Sequence, residues 1–293
     1  MHILIRFFYI VLIIALSQDI LSNSPVEYSL SQKRVNLGDT LRLDIRTQSP
    51  IKKSFLTLAG KSFTLFKRPE KSSKEHAYVA YFAVPRTRPS GDYKLKLFLK
   101  LEDKTETHFF ETLYVHHPKT KILGKVTLSE TKKTLSKNTN DIRKEASIIG
   151  KKFNTKTDTG LFKGWFMKPS IGRISSPFGK ERLYNSGIRR MHSGTDIANS
   201  IGTPVFAPNN GIIILSQSMS VHGNTIMIDH GYGIITIYNH LDTRLVKEGA
   251  TINKGDMIGT IGQTGLASGP HLHWGLSVQN IRVDPLKWVK VGD

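Results

Sequence analysis

Residues 271–278 read HLHWGLSV. On an extended strand successive side chains point to opposite faces, so His271 and His273 share one face while Leu272 and Trp274 take the other. One imidazole can bind a metal while the other meets substrate or water. Working outward, the same kind of run recurs at GIIILS (211–216), NTIMIDH (224–230) and GIITIYNH (233–240). Gly-containing turns join these runs, at HGN (222–224), HGYG (230–233), KGD (254–256) and SGP (268–270). Short β-branched runs between Gly-rich turns predict a mostly antiparallel β domain over residues 171–293. Two further sites of interest lie on it. His192 and Asp196 stand four apart in MHSGTD (191–196), and His240 closes a strand-like run. A turning backbone could bring His192 and Asp196 onto one ion. Tyr238, two before His240, is expected on the same side of its strand and so in the site. These residues offer three nitrogen or oxygen ligands and two spare imidazoles, the donor inventory of a hydrolytic zinc site with a place left for water. No HExxH sequence is present, so the base need not be a glutamate.

The first part of the chain has a different β pattern. VNLGDTLRLDI (35–45), HAYVAYFAV (76–84), PSGDYKLKLFLKL (89–101) and HFFETLYV (108–115) are alternating runs set off by turn signals. Their spacing predicts an immunoglobulin-like β-sandwich over residues 18–118. Residues 119–170 are rich in Lys, Thr, Ser and Asn and read as a basic connector. TNDIRKEASIIGKKF (139–153) is expected to form one short helix starting near Asn140 or Asp141. The fold class is all-β: sandwich, connector, antiparallel β domain. Arg6, the apolar run FFYIVLIIAL (7–16) and the small residues Ala15 and Ser17 read as a signal peptide over 1–17, so the chain is expected to be exported to the periplasm or cell envelope.

The 293 residues contain no cysteine, which excludes disulfides, thiolate zinc sites and a lipid-modified cysteine. Net charge is +19 and unevenly spread: +8 over residues 1–120, +8 over 121–170 and +3 over 171–293. The basic excess thus lies outside the histidine-bearing region, where it would attract anionic envelope polymers. No finger spacing or aromatic-basic strand points to nucleic acid, and no small-molecule cofactor is expected.

Longer stretches extend these motifs: ISSPFGKER (174–182), MHSGTDIA (191–198), GTPVFAPNNG (202–211), HGNTIMIDHGYG (222–233), IYNHL (237–241), VKEGATINKGDMIGTIGQTG (246–265), SGPHLHW (268–274) and VDPLKW (283–288). Over residues 174–288 the chain resembles the lysostaphin-type, LytM-domain zinc metallopeptidases. The layout of β module, connector and this domain resembles Gram-negative-type members. The resemblance implies Zn2+ held by His192, Asp196 and His273 with water in the fourth place, and His240 and His271 as the catalytic pair. It also implies a zinc endopeptidase hydrolysing peptide cross-links of peptidoglycan in cell-wall remodelling or division. The bond would be a D-alanyl link to diaminopimelate. The alternative is a non-catalytic LytM-type regulator that activates a cell-wall amidase; retention of all five site residues argues against it.

Overall fold

The computed structural model describes residues 25–69, 75–117 and 122–289. The expected leader, residues 1–17, lies outside the described residues. Nine strands form the first domain: β1 (Val26–Leu30), β2 (Arg34–Asn36), β3 (Leu41–Thr47), β4 (Ile51–Leu58), β5 (Lys61–Phe63), β6 (Phe66–Lys67), β7 (His76–Phe82), β8 (Gly91–Leu101) and β9 (Glu106–His116). They make two sheets, β1-β3-β7-β6 and β2-β9-β8-β4-β5. The alternation sets the faces. In β3, Leu41, Leu43 and Ile45 are buried while Arg42 is exposed. In β8, Leu95, Leu97, Leu99 and Leu101 all face inward. These two inner faces meet in one core, and each leucine so buried contributes about 1.5–3 kcal/mol. Such a core is what allows a sandwich without a disulfide.

Residues 119–170 hold β10 (Ile122–Val126), α1 (Glu130–Lys137) and α2 (Thr139–Phe153). The helix expected over 139–153 is present. Its cap is Asn138, whose side chain accepts a hydrogen bond from the Asp141 backbone N–H at 3.1 Å. Asn140 and Asp141 therefore sit in the first turn, where Asp141 faces the positive end of the helix dipole. Ile149 and Phe153 of α2 are buried against the following domain, so the segment is packed structure along this helix.

The C-terminal domain contains β11 (Arg173–Ser176), β12 (Glu181–Tyr184), β13 (Arg189–Met191), β14 (Thr195–Ala198), β15 (Pro204–Phe206), β16 (Gly211–Met219), β17 (Gly223–Asp229), β18 (Ile234–Arg244), β19 (Thr251–Ile252), β20 (Met257–Ile261), β21 (His271–Val278) and β22 (Ile281–Val283). A ten-stranded sheet runs β11-β14-β21-β18-β17-β16-β19, with β20 joining β15 to β18 and β22 beside β21. Its pairings are antiparallel. One face packs Ile226, Ile228, Tyr238, Leu272 and Trp274 into a core. The other face divides in two. At one end stand His271 and His273; further along, α2 covers Met227, Ile235 and Ile237.

The two domains share apolar surface. Tyr232, Ile234, Leu276, Val278 and Val283 join the sandwich core. Gln279 stitches the seam: its Oε1 accepts from Thr64 N at 2.7 Å, and its Nε2 donates to the carbonyls of Thr64 and Tyr81 at 3.0 and 2.9 Å. Among the described residues no helix is long and apolar enough to cross a membrane.

His230 supports the turn after β17. It is fully buried, with Nδ1 2.7 Å from the Asn210 carbonyl and Nε2 2.9 Å from Thr236 Oγ1. Burial lowers its pKa from 6.5 to about 4, against a smaller upward pull from the Asn210 carbonyl. The native state thus holds it neutral while an unfolded chain protonates it. Its contribution is fully present above pH 6.5 and is lost as pH falls through 6.5 toward about 4, roughly 3 kcal/mol in all. Thermal unfolding of the wild type should show that loss of stability between those pH values. His230→Gln should remove this component of the slope; an unchanged pH profile in the variant would refute it.

Candidate metal and catalytic centre

Antiparallel pairing of β14 with β21 sets Asp196 directly opposite His273, and Ala198 opposite His271. Pairing of β18 with β21 sets Asn239 beside His273. His192 enters from the loop between β13 and β14, with its backbone N–H on the Lys180 carbonyl at 2.7 Å. That loop must lie flat on β21. A Cβ at Gly194 would meet the Trp274 carbonyl at 2.5 Å and the His273 ring at 2.9 Å, so only glycine admits the approach.

Three ligand atoms converge. His192 Nε2 is 2.9 Å from Asp196 Oδ1, His273 Nδ1 is 2.9 Å from the same oxygen, and the two nitrogens are 3.0 Å apart. His192 Nδ1 lies 2.9 Å from the Pro177 carbonyl, which can only accept. The proton therefore sits on Nδ1 and Nε2 presents a lone pair. His192 Nε2 and Asp196 Oδ1 are then two acceptors face to face, and a proton on His273 Nδ1 can serve one contact at a time. A divalent cation satisfies all three. Among the described residues this is the group able to hold a metal. Edges of 2.9–3.0 Å suit zinc, which takes nitrogen and oxygen donors at about 2.0–2.2 Å. Burial alone would raise the Asp196 carboxyl; its close contacts with the His192 and His273 imidazoles hold it far below the usual carboxylate range. Arg182 forms an ion pair with Asp196 Oδ2, fixing the carboxylate from its far side. Burial lowers His273 to about 4, favouring the neutral, ligating form.

The other two imidazoles flank this triangle. His240 and His271 have ring centroids 5.0 Å apart, and His271 Nε2 is 3.8 Å from Asp196 Oδ2. Each is oriented by a carbonyl: His271 Nδ1 is 2.8 Å from Gly269 O, and His240 Nδ1 is 2.9 Å from Thr264 O. Both rings therefore carry the proton on Nδ1 and leave Nε2 free to accept one. Burial first, then the His271 and His273 charges, pushes His240 well below its ordinary pKa. His240 has a backbone φ of +64°, a conformation that costs energy in a non-glycine residue and clusters at functional sites. Its N–H is held by the His222 carbonyl at 3.0 Å.

That φ corrects one expectation. Tyr238 does not face the site. It is fully buried in the opposite face, beside Trp274, with its hydroxyl donating to Thr236 Oγ1 at 2.9 Å. The positive φ at His240 breaks the two-residue alternation, so His240 turns to the side that Asn239 occupies. Tyr238→Phe should leave zinc affinity within about twofold and cost roughly 1 kcal/mol of stability, the usual worth of one hydrogen bond. A large loss of zinc affinity would restore Tyr238 to the site.

Other participants were not singled out by the sequence. Asn239 lines the cleft next to His240. Glu145 of α2 accepts from the backbone N–H groups of Val221 and His222 at 2.8 and 3.0 Å and sits 2.6 Å from His222 Nδ1. Burial alone would raise its carboxyl; these contacts outweigh that and hold it low. Through His222 the connector thus braces the strand end that bears His240. The cleft holds about 450 Å³, and Gly124, Lys125 and Val126 of β10 form part of its wall.

Residues 190–285 match the model described as peptidase family M23. The peptidoglycan DD-endopeptidase ShyA of Vibrio cholerae is 40% identical over 116 residues, 39% of this chain and 27% of that protein. The DD-carboxypeptidase/endopeptidase Mpg of Neisseria meningitidis is 39% identical over 124 residues, 42% of this chain and 29% of that protein. The chain therefore matches less than a third of the length of these relatives. A crystal structure of a peptidase M23 from Pseudomonas aeruginosa aligns with a TM-score of 0.60 at 26% identity, covering 92% of this chain and 97% of that one.

Proposed function

We propose that this chain, whose residues 190–285 match the model of peptidase family M23, is a zinc endopeptidase that hydrolyses peptide cross-links of bacterial peptidoglycan. The observation that supports this most is the triangle of His192, Asp196 and His273 with two tautomer-fixed imidazoles beside it. In this reading His192, Asp196 and His273 hold the zinc, and His240 and His271 are the catalytic pair. Zinc supplies a polarised water and a Lewis acid for the scissile carbonyl. The chain's own groups do the rest. His271 Nε2, free and on the metal side, accepts a proton and returns it to the leaving amine. His240, whose proton is held on Nδ1 by the Thr264 carbonyl, offers Nε2 as a second acceptor beside His271 and, once protonated there, a donor toward the developing oxyanion or leaving group. Arg182 and the Pro177 carbonyl keep the ligands in register.

A peptidoglycan substrate supports action outside the cytoplasm, and with it export to the periplasm or cell envelope. The relatives named peptidoglycan DD-endopeptidases support the bond expected from the sequence, a D-alanyl link to diaminopimelate. The basic stretch 121–170 is proposed to hold the protein near anionic envelope polymers, so binding to sacculi should weaken steeply with salt.

The test is a digest of purified sacculi by the zinc-loaded chain, read by mass spectrometry of muropeptides. Loss of cross-linked dimers is the expected result. Zinc bound with no cleavage would turn the reading to the non-catalytic regulator.

A further inference from the structure

Arg282 of β22 has no role in the metal triangle, yet it lines the same cleft. It pairs in register with Ser277, so it projects on the face of β21 that bears His271, His273 and Gly275. Its Nη1 is shielded from solvent and has no hydrogen-bond partner among the described residues. The guanidinium lies 3.8 Å from the Phe153 ring centroid, which holds its flat face against α2. A Cβ built on Gly275 would come within 3.2 Å of Nη1, so glycine at 275 makes the room it occupies. Ser277 Oγ, opposite it in register, is also buried and unpartnered. A buried guanidinium with a free donor and no carboxylate is costly unless something anionic visits it. Burial, with a smaller push from the charge of Arg86, lowers its pKa to about 9. The rest of the cleft wall leans the same way, with Lys125, Lys180 and Arg190 against Glu181.

We propose that Arg282 binds the free α-carboxylate carried by the substrate carbon next to the scissile nitrogen, and so selects bonds that precede a carboxylate-bearing residue. This rests on the peptidase reading above. Gly275 is two strand residues from His273, a span of about 6.6 Å. From the attacked carbonyl carbon, the carboxylate on the carbon bearing the leaving nitrogen is three bonds away, on the order of 4 Å. A charge-assisted N–H···O contact adds about 2.8 Å. Both lengths are of a few ångströms, the short reach that a carboxylate on the carbon bearing the leaving nitrogen requires of a group lining this same cleft.

The test compares two probes, acetyl-D-alanyl-D-alanine and its C-terminal amide, binding to the zinc-loaded full chain by calorimetry. A His271→Ala background keeps the probes intact. Charge-assisted hydrogen bonds predict about 10- to 100-fold tighter binding of the acid. Arg282→Gln should reduce the preference below about twofold, and Arg282→Met, which keeps the stem against Phe153, should do the same. Phe153→Leu, which removes the ring and leaves the cation, should retain it. No preference in the Arg282 protein, or a preference that survives both Arg282 variants, overturns the proposal. So does equal loss in the Phe153 variant, which would make Arg282 a fastening for α2. Digestion of cross-linked muropeptides by wild type runs in parallel. Absence of cleavage with the acid preference intact would sink the peptidase reading and still support the Arg282 subsite.

Discussion

Asp196→Ala should abolish both zinc binding and cleavage. Its Oδ1 is common to two edges of the ligand triangle, so no arrangement of His192 and His273 alone replaces it. The metal contributes several kcal/mol to the transition state, so activity should fall on the order of a thousandfold or more. A second effect separates this variant from other ligand losses. Asp196 Oδ2 is paired with Arg182, and both side chains are mostly buried. Removing the carboxylate leaves a cation without its partner, which costs about 3 kcal/mol. His273→Ala should lose metal and activity to the same extent while keeping the Arg182 pair, so its metal-free form should unfold at a higher temperature than that of Asp196→Ala. Zinc content by mass spectrometry and melting of the chelated proteins read both effects. Stoichiometric zinc in Asp196→Ala would show that the triangle is misassigned.

His271→Ala should behave in the opposite way: metal kept, chemistry lost. Its Nε2 stands 3.8 Å from Asp196 Oδ2, outside the triangle, and its Nδ1 is tied to the Gly269 carbonyl. A positioned proton acceptor contributes about 10²–10⁴-fold, and kcat should drop by that much with KM within a few-fold and zinc unchanged. Glutamine at 271 should not restore the rate, since an amide neither accepts nor returns a proton at neutral pH. A variant with near-normal kcat would move the proton transfer to His240. Loss of zinc together with the rate would make His271 a ligand instead.

Much of the site was legible in the chain itself. The H-L-H spacing of β21 placed His271 and His273 on one face because strand geometry has a period of two. Gly-rich turns between β-branched runs announced an antiparallel sheet, and alternating runs announced the sandwich. The helix over 139–153 was visible from its composition, though not its cap. Tyr238 was misplaced by the same two-residue rule that succeeded on β21, because sequence does not announce a left-handed residue at His240. Arg182 and Asn239 lie in stretches that carry the resemblance and Glu145 in the expected helix, yet their roles, like that of Arg282, could not be read there: each acts on a group brought to it by the fold.

The sequence by itself determined which chemistry is available. Imidazoles and a carboxylate without thiols, on short strands with tight turns, are donors suited to a hydrolytic zinc site, and the stretches that carry them resemble the LytM-type peptidases. Only the tertiary structure decided how those groups meet. Strand register put Asp196 against His273 across 77 positions. Backbone carbonyls of Pro177, Thr264 and Gly269 chose the tautomers of His192, His240 and His271. The connector helix became part of the groove because Ile149 and Phe153 found an apolar sheet face to cover. The physical reason is one of range: side-chain alternation and turn preference act within a few residues, whereas ligand geometry, proton placement and burial are set by groups that approach only when the chain is folded.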